Sequence, residues 1–261
     1  MPENDAEHQV RMFFESQRFH VDRIISLQDE RRADYRVTHE NEVYIVEVKG
    51  RIEDKEYERD LLEQGEAIRE GLLGYTNPAS KQIREAAKQL IVTPAEPSAF
   101  RVIALVTAYD DPETHAEQFQ STLYGMVDLL IPAENGHARA IPCYYFTFSE
   151  FYNLPEVDAA LILIPGGAKI CLNSFSTRLH EFRKTSLCQL LASVGAVSDP
   201  EEREKQGKAY IADCSLDRRD ESLIREYVRR KYKLTHLPPH LPMTFSPTKL
   251  TVGKMVRKKT D

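Results

Sequence analysis

Residues 32–37, Arg32-Ala33-Asp34-Tyr35-Arg36-Val37, and residues 43–50, Val43-Tyr44-Ile45-Val46-Glu47-Val48-Lys49-Gly50, decide how this chain reads. Both are rich in β-branched and aromatic residues. The polar His39-Glu40-Asn41-Glu42 between them predicts a hairpin-like turn, joining a strand over Ala33–Thr38 to one over Val43–Lys49. Side chains alternate along a strand, so Glu47 and Lys49 share one side while Val46 and Val48 take the other. The second strand is apolar on both faces as far as Val46, which predicts a central, buried position. Ionised groups at the end of such a strand are costly unless they pair or hold a metal. The turn brings Asp34 alongside that strand end, so two carboxylates and an ammonium converge on one spot.

The flanking sequence supplies the rest of a layered fold. Residues 6–19 place Ala6, Val10, Phe13 and Phe14 on one helical stripe. A short extended segment is predicted over Val21–Leu27 and a turn over Gln28–Arg32. Asp54–Gly74 is charged and helical in pattern. Thr76-Asn77-Pro78 breaks the chain, and Ser80 is placed to cap a helix over Lys81–Val92, with Ile83, Ala86, Ala87, Leu90 and Ile91 on its apolar face. Val102–Val106 is a wholly apolar run suited to a strand buried on both faces. A helix over Glu113–Tyr124 ends at Gly125. Two hairpins follow, Met126–Ile131 with Arg139–Phe148 across Asn135-Gly136, and Ala159–Ile164 with Lys169–Leu172 across Gly166-Gly167. Helices are predicted near Ser176–Ser193 and Asp220–Lys233, with a charged loop over Asp199–Lys208. This order predicts one α/β domain over residues 1–237: a core of about 1–130, built on a mixed central β-sheet flanked by helices, and a C-terminal α+β elaboration over about 131–237. Residues 238–261 read as a loosely held basic tail.

Composition narrows the function classes. The 261 residues include no apolar run long enough to span a membrane and open on a polar, acidic segment, so a cytoplasmic protein without a membrane partner is expected. Cys143, Cys171, Cys188 and Cys214 form no C-x-x-C pair and read as structural thiols. There is no Walker loop and no G-x-S-x-G motif. A net charge of −6 excludes binding to nucleic acid through bulk charge. The distribution is uneven, however. Arg225–Lys259 is basic with Glu226 as its one acid, and Arg229, Arg230 and Lys231 are candidate phosphate contacts.

Asp34, Glu47 and Lys49 suit phosphodiester hydrolysis. Two carboxylates can hold a hard divalent cation such as Mg2+, which polarises a phosphoryl oxygen and orients a hydroxide. The lysine is a compact charge able to steer water and neutralise the developing phosphorane. The plain alternative is a sheet-end ion pair between Glu47 and Lys49, with Asp34 capping a turn.

The segment resembles the core of the PD-(D/E)XK nuclease superfamily, the restriction-endonuclease-like fold, over roughly the first 110 residues. There the first Asp and the (D/E)-x-K pair lie on neighbouring strands of a mixed sheet behind an N-terminal helix. The likeness implies Asp34 and Glu47 as metal ligands, the Val48 carbonyl as a third, Lys49 as the catalytic lysine, and Mg2+ or Mn2+ as cofactor. Ala33 departs from the pattern, standing where the family has proline. Some members carry a metal-binding glutamate on the first helix, for which Glu7 is chosen over Glu15. Many place a Gln or Lys on the helix after the motif, a role open to Gln82 and Gln89. The expectation is a divalent-metal-dependent endonuclease on DNA, in repair, restriction or defence, and a possible homodimer. A catalytically silent nucleic-acid-binding or assembly module and an RNA-directed nuclease are the alternatives.

Overall fold

The apolar run before Lys49 becomes the third strand of a seven-stranded mixed sheet. The computed structural model describes residues 3–25, 31–50, 66–72, 75–107, 112–132, 138–240 and 245–251. In chain order its first elements are α1 (Asp5–Ser16), β1 (His20–Arg23), β2 (Tyr35–His39), β3 (Glu42–Gly50), β4 (Glu66–Leu72), α2 (Asn77–Val92), β5 (Phe100–Val106) and α3 (Pro112–Tyr124). Then come β6 (Val127–Pro132), β7 (Ala138–Tyr144), α4 (Glu150–Asn153), β8 (Ala159–Ile164), β9 (Gly167–Leu172), α5 (Leu179–Phe182) and α6 (Ser186–Ser193). The last are β10 (Val197–Ser198), α7 (Pro200–Lys205), β11 (Tyr210–Ile211), α8 (Glu221–Lys231) and β12 (Phe245–Thr251).

The main sheet runs β1-β2-β3-β5-β8-β9-β10. β1, β2 and β3 form an antiparallel meander, β5 and β8 run parallel to β3, β9 returns antiparallel, and β10 lies parallel to β9. Helices cover both faces. Val10 and Phe14 of α1 pack with Tyr35, Val37, Tyr44, Val46 and Val48 on one side. Ala79, Ile83, Ala86, Ala87 and Leu90 of α2 pack with Ile45, Ile103 and Leu105 on the other. Burying one such aliphatic side chain contributes roughly 1.5–3 kcal/mol, so the period-2 and period-3.6 patterns together fix which face each residue takes.

Several expectations are corrected. α2 starts before Ser80, because the Thr76 side chain accepts from the Ala79 N–H and Pro78 fits the first turn. Ser80 is instead buried. Ile91, assigned to the apolar face, is 44% exposed. Residues 66–72 of the predicted Asp54–Gly74 helix are a strand, satisfied by antiparallel pairing with β12, which lies in the expected loose tail. The rest of that predicted helix, the Gln28–Glu30 part of the predicted turn, and Asn135-Gly136 lie outside the described residues. β6 and β7 pair as expected but with β11 in a separate three-stranded sheet, so only β8, β9 and β10 extend the main one. The Asp199–Lys208 loop contains α7, capped by Asp199. The helix near Ser176–Ser193 is split into α5 and α6, the second capped by Thr185. Among the described residues no helix is long and apolar enough to cross a membrane.

Candidate functional site

Backbone and side-chain bonds hold Asp34 beside the end of β3 that carries Glu47. The β2–β3 ladder ends with Tyr35 opposite Val46, and just outside it the Asp34 N–H donates to the same Val46 carbonyl at 3.1 Å, one residue off the ladder register. Asp34 Oδ2 then accepts from the Val48 N–H at 2.8 Å. Beyond the end of β2 this carboxylate thus satisfies a β3 amide, which binds it to the strand carrying Glu47 and Lys49.

Glu47 is 1% exposed. Its Oε1 accepts from Lys49 Nζ at 2.5 Å, whereas its Oε2 is buried with no hydrogen-bond partner. Burial, and then the Asp34 carboxylate, push the Glu47 carboxyl up to about 8, against the pull of Lys49. Lys49 Nζ also donates to Gln89 Oε1 at 2.8 Å, and Gln89 Nε2 donates to the Arg32 carbonyl at 3.2 Å. Gln82 Nε2 donates to the Gly50 carbonyl at 3.1 Å. Seven residues apart on α2, the two glutamines therefore lie along the end of β3. Gln89 reaches the lysine and Gln82 holds the backbone beyond it.

The residue standing in the place of proline has its own anchor. The Ala33 N–H donates to Thr93 Oγ1 at 2.7 Å, and that hydroxyl donates to the Gln89 carbonyl at 2.6 Å. A proline could not make the first bond. Thr93, at the end of α2, thereby holds the entry to Asp34, a role with no sequence signal because the partners are 60 residues apart.

Glu7 approaches from the other face. A Cβ on Gly50 would lie 2.9 Å from Ala6 Cβ, so glycine at the end of β3 lets the start of α1 come close. Glu7 closes a capping box: its N–H donates to Asn4 Oδ1 at 2.9 Å and its Oε2 accepts from the Asn4 backbone N–H at 3.4 Å, while its Oε1 accepts from Asn4 Nδ2 at 2.7 Å. Its Oε2 accepts from Arg23 Nη2 at 2.7 Å. Burial first, and then Asp34, raise the Glu7 carboxyl above the usual range, so the two carboxylates feel each other. Arg23, on β1, was not singled out from sequence. Nothing in a surface-type arginine 16 residues away announces this pair. Among the described residues no group of three or more His, Cys, Asp or Glu is placed to hold a metal ion. The structure brings together Asp34, Glu47, Lys49, Val48 and Gln89, and sets Glu7 beside them in a separate ion pair.

The candidate phosphate contacts lie elsewhere, on α8. Glu226 accepts from Arg229 Nε at 2.7 Å and from Arg230 Nε at 2.6 Å. Lys231 Nζ lies 2.9 Å from both Asp213 and Glu204. The basic run thus has more acidic partners than its own sequence contains, because α7 and the segment after β11 supply them. Family models, curated proteins and solved structures give no match to this chain, so a function must be argued from the chemistry of Asp34, Glu47 and Lys49.

Proposed function

We propose that this chain is a divalent-metal-dependent endonuclease of restriction-endonuclease-like architecture, hydrolysing phosphodiester bonds, with DNA as the favoured substrate and Mg2+ or Mn2+ as the cofactor. The observation that carries this reading is the Glu47 carboxyl, buried against the Asp34 carboxyl with no N–H, hydroxyl or protein cation on its Oε2, two residues from the lysine that binds the other oxygen. Two carboxyls in contact at a buried strand end cannot both ionise without a cation between them, an arrangement unfavourable in a purely structural role and suited to a cation site. The neighbouring main-sheet strands β1-β2-β3-β5, with α1 before β1 and α2 before β5, and the acids at the start of β2 and near the end of β3, support the same architecture.

Asp34 and Glu47 would hold the cation, with the carbonyl of Val48, the residue after Glu47, as a further ligand and Glu7 as a fourth candidate. When bound, the cation would polarise the phosphoryl group and lower the pKa of a water molecule. The chain's own groups do the rest. Lys49 carries a positive charge next to the reacting centre and stabilises charge that develops on the phosphoryl oxygens. Gln89 fixes the direction of that ammonium through its Oε1, while its own amide is tied to Arg32. Gln82 holds the Gly50 carbonyl and thus the strand end. Cutting both strands of a duplex needs two such sites, which calls for a homodimer.

A catalytically silent nucleic-acid-binding or assembly module is the second reading, favoured by one observation: Glu7 is engaged by Arg23 rather than completing a three-acid group. Cleavage of labelled single-stranded DNA, duplex DNA and RNA, with metal and with chelator, separates the readings. Lys49→Ala should lose on the order of 10²–10³ in rate while still binding Mg2+ or Mn2+ by calorimetry. Asp34→Ala and Glu47→Ala should lose both cleavage and metal binding. Undiminished cleavage in Lys49→Ala and Glu47→Ala would place the active site elsewhere. A wild type that neither cuts nor binds metal leaves the silent module, and cleavage of RNA alone redirects the substrate.

A further inference from the structure

Arg23 is the second cation beside the acidic end of the sheet, and nothing in the proposed chemistry uses it. Its guanidinium meets Glu7 Oε2 at 2.7 Å, while Glu7 Oε1 is bound by Asn4 Nδ2. Both oxygens of Glu7 are therefore taken up. The start of α1 nonetheless packs against Gly50, and Glu7 is close enough to Asp34 for their charges to interact. Across the strand end, Glu47 Oε2 is buried beside the Asp34 carboxyl with no N–H, hydroxyl or protein cation on it. One side of this acidic end is thus occupied by a protein cation, and the other is left unfilled.

We infer that Arg23 is a positioning residue that holds Glu7 out of the Asp34–Glu47 cation site and competes with a divalent cation for the Glu7 carboxylate. This rests on the reading of Asp34 and Glu47 as cation ligands. Both Glu7 oxygens are already engaged, and Arg23 is bound through a single Nη2 contact rather than a two-pronged fork, so a cation that takes Glu7 Oε2 displaces a weakly anchored guanidinium. A divalent ion offers the larger charge, so Glu7 exchanges Arg23 for the ion when the ion is abundant. Arg23 then sets how much free cation the site requires, and its release frees a guanidinium beside the reacting centre.

The test is Mn2+ binding to the full chain at fixed pH, followed by electron paramagnetic resonance and calorimetry, in wild type, Arg23→Gln, Glu7→Gln and the double variant. Glu7→Gln retains a capping-box residue type, so α1 keeps its start. Arg23→Gln should bind Mn2+ on the order of tenfold tighter, the size of coupling expected for groups in contact. In the Glu7→Gln background the same substitution should change affinity by less than about twofold. Arg23→Lys, which keeps the charge, should stay near wild type. An equal gain with and without Glu7 would show that Arg23 acts only through its net charge and would overturn the competition. So would an unchanged affinity in Arg23→Gln. Absence of Mn2+ binding in wild type and every variant would remove the cation site itself, and the proposed function with it.

Discussion

Among the described residues Glu47, Glu150 and Asp158 are carboxylates each 1% exposed, and Glu47 differs from the other two in its partners. At the start of α4, Glu150 accepts from Ser80 Oγ at 2.7 Å and from Arg84 Nε and Nη2 at 2.8 and 2.9 Å, with Tyr75 Oη at 3.3 Å. Next to β8, Asp158 accepts from Ser176 Oγ at 2.6 Å, from the Arg101 N–H at 2.8 Å and from Arg178. Every oxygen of these two has a donor. Glu47 has Lys49 on one oxygen and, on the other, no N–H or hydroxyl donor but only the Asp34 carboxyl beside it. Equal burial with unequal satisfaction separates acids that hold the fold together from an acid that awaits a partner. Burial alone would have marked all three, and the hydrogen-bond inventory picks out one.

The strongest way to break this contrast is at Asp158. Asp158→Ala would strand the Arg101 N–H, the Ser176 hydroxyl and the Arg178 guanidinium. The expected cost is roughly 3 kcal/mol in urea or thermal unfolding, as for removal of one partner from a buried ion pair. A loss below about 0.5 kcal/mol, the level of a neutral surface change, would mean that full satisfaction does not mark a structural acid here.

Glu47 should behave in the opposite sense. Its carboxyl is raised from 4.5 to about 8 in the folded chain. The folded state therefore keeps a proton that the unfolded chain has released, and metal-free stability falls as pH rises from 4.5 through about 8. Glu47→Gln removes that dependence and should stabilise the metal-free protein at neutral pH by on the order of 2 kcal/mol. Added Mg2+ or Mn2+ should stabilise wild type and not the variant, since binding to the folded state raises its stability. A destabilised Glu47→Gln, like Asp158→Ala, would turn Glu47 into a third structural acid.

The smallest effect sharpens the comparison for cations. Lys231 has two carboxylates, whereas Glu226 is shared by Arg229 and Arg230, of which Arg230 has a side chain 74% exposed. If the partner is duplex DNA, Arg230→Ala should flatten the salt dependence of binding by about one unit of slope, and Lys231→Ala should leave it unchanged. Equal slopes in wild type and Arg230→Ala would reduce α8 to a structural element.

Local sequence was enough to place β3, β2 and α1 and to bring Asp34, Glu47 and Lys49 together. The pattern of Val43–Lys49 has a period of two, and a hairpin turn fixes register over a few residues, so the information is short-ranged. The two-face burial of β3 was legible for the same reason. The strand at 66–72 was not, because a charged segment adopts a strand only when a partner supplies the hydrogen bonds, and β12 lies more than 170 residues away. Nor was the role of Thr93 under Ala33, the hold of Gln89 on Lys49, or the Arg23–Glu7 pair, since each joins residues on different elements. The sequence by itself determined which residue types stand at the end of the central strand. Tertiary structure alone decided which of their polar atoms are satisfied, because donors come from whatever the fold packs alongside, and that inventory makes Glu47 unlike Glu150 and Asp158.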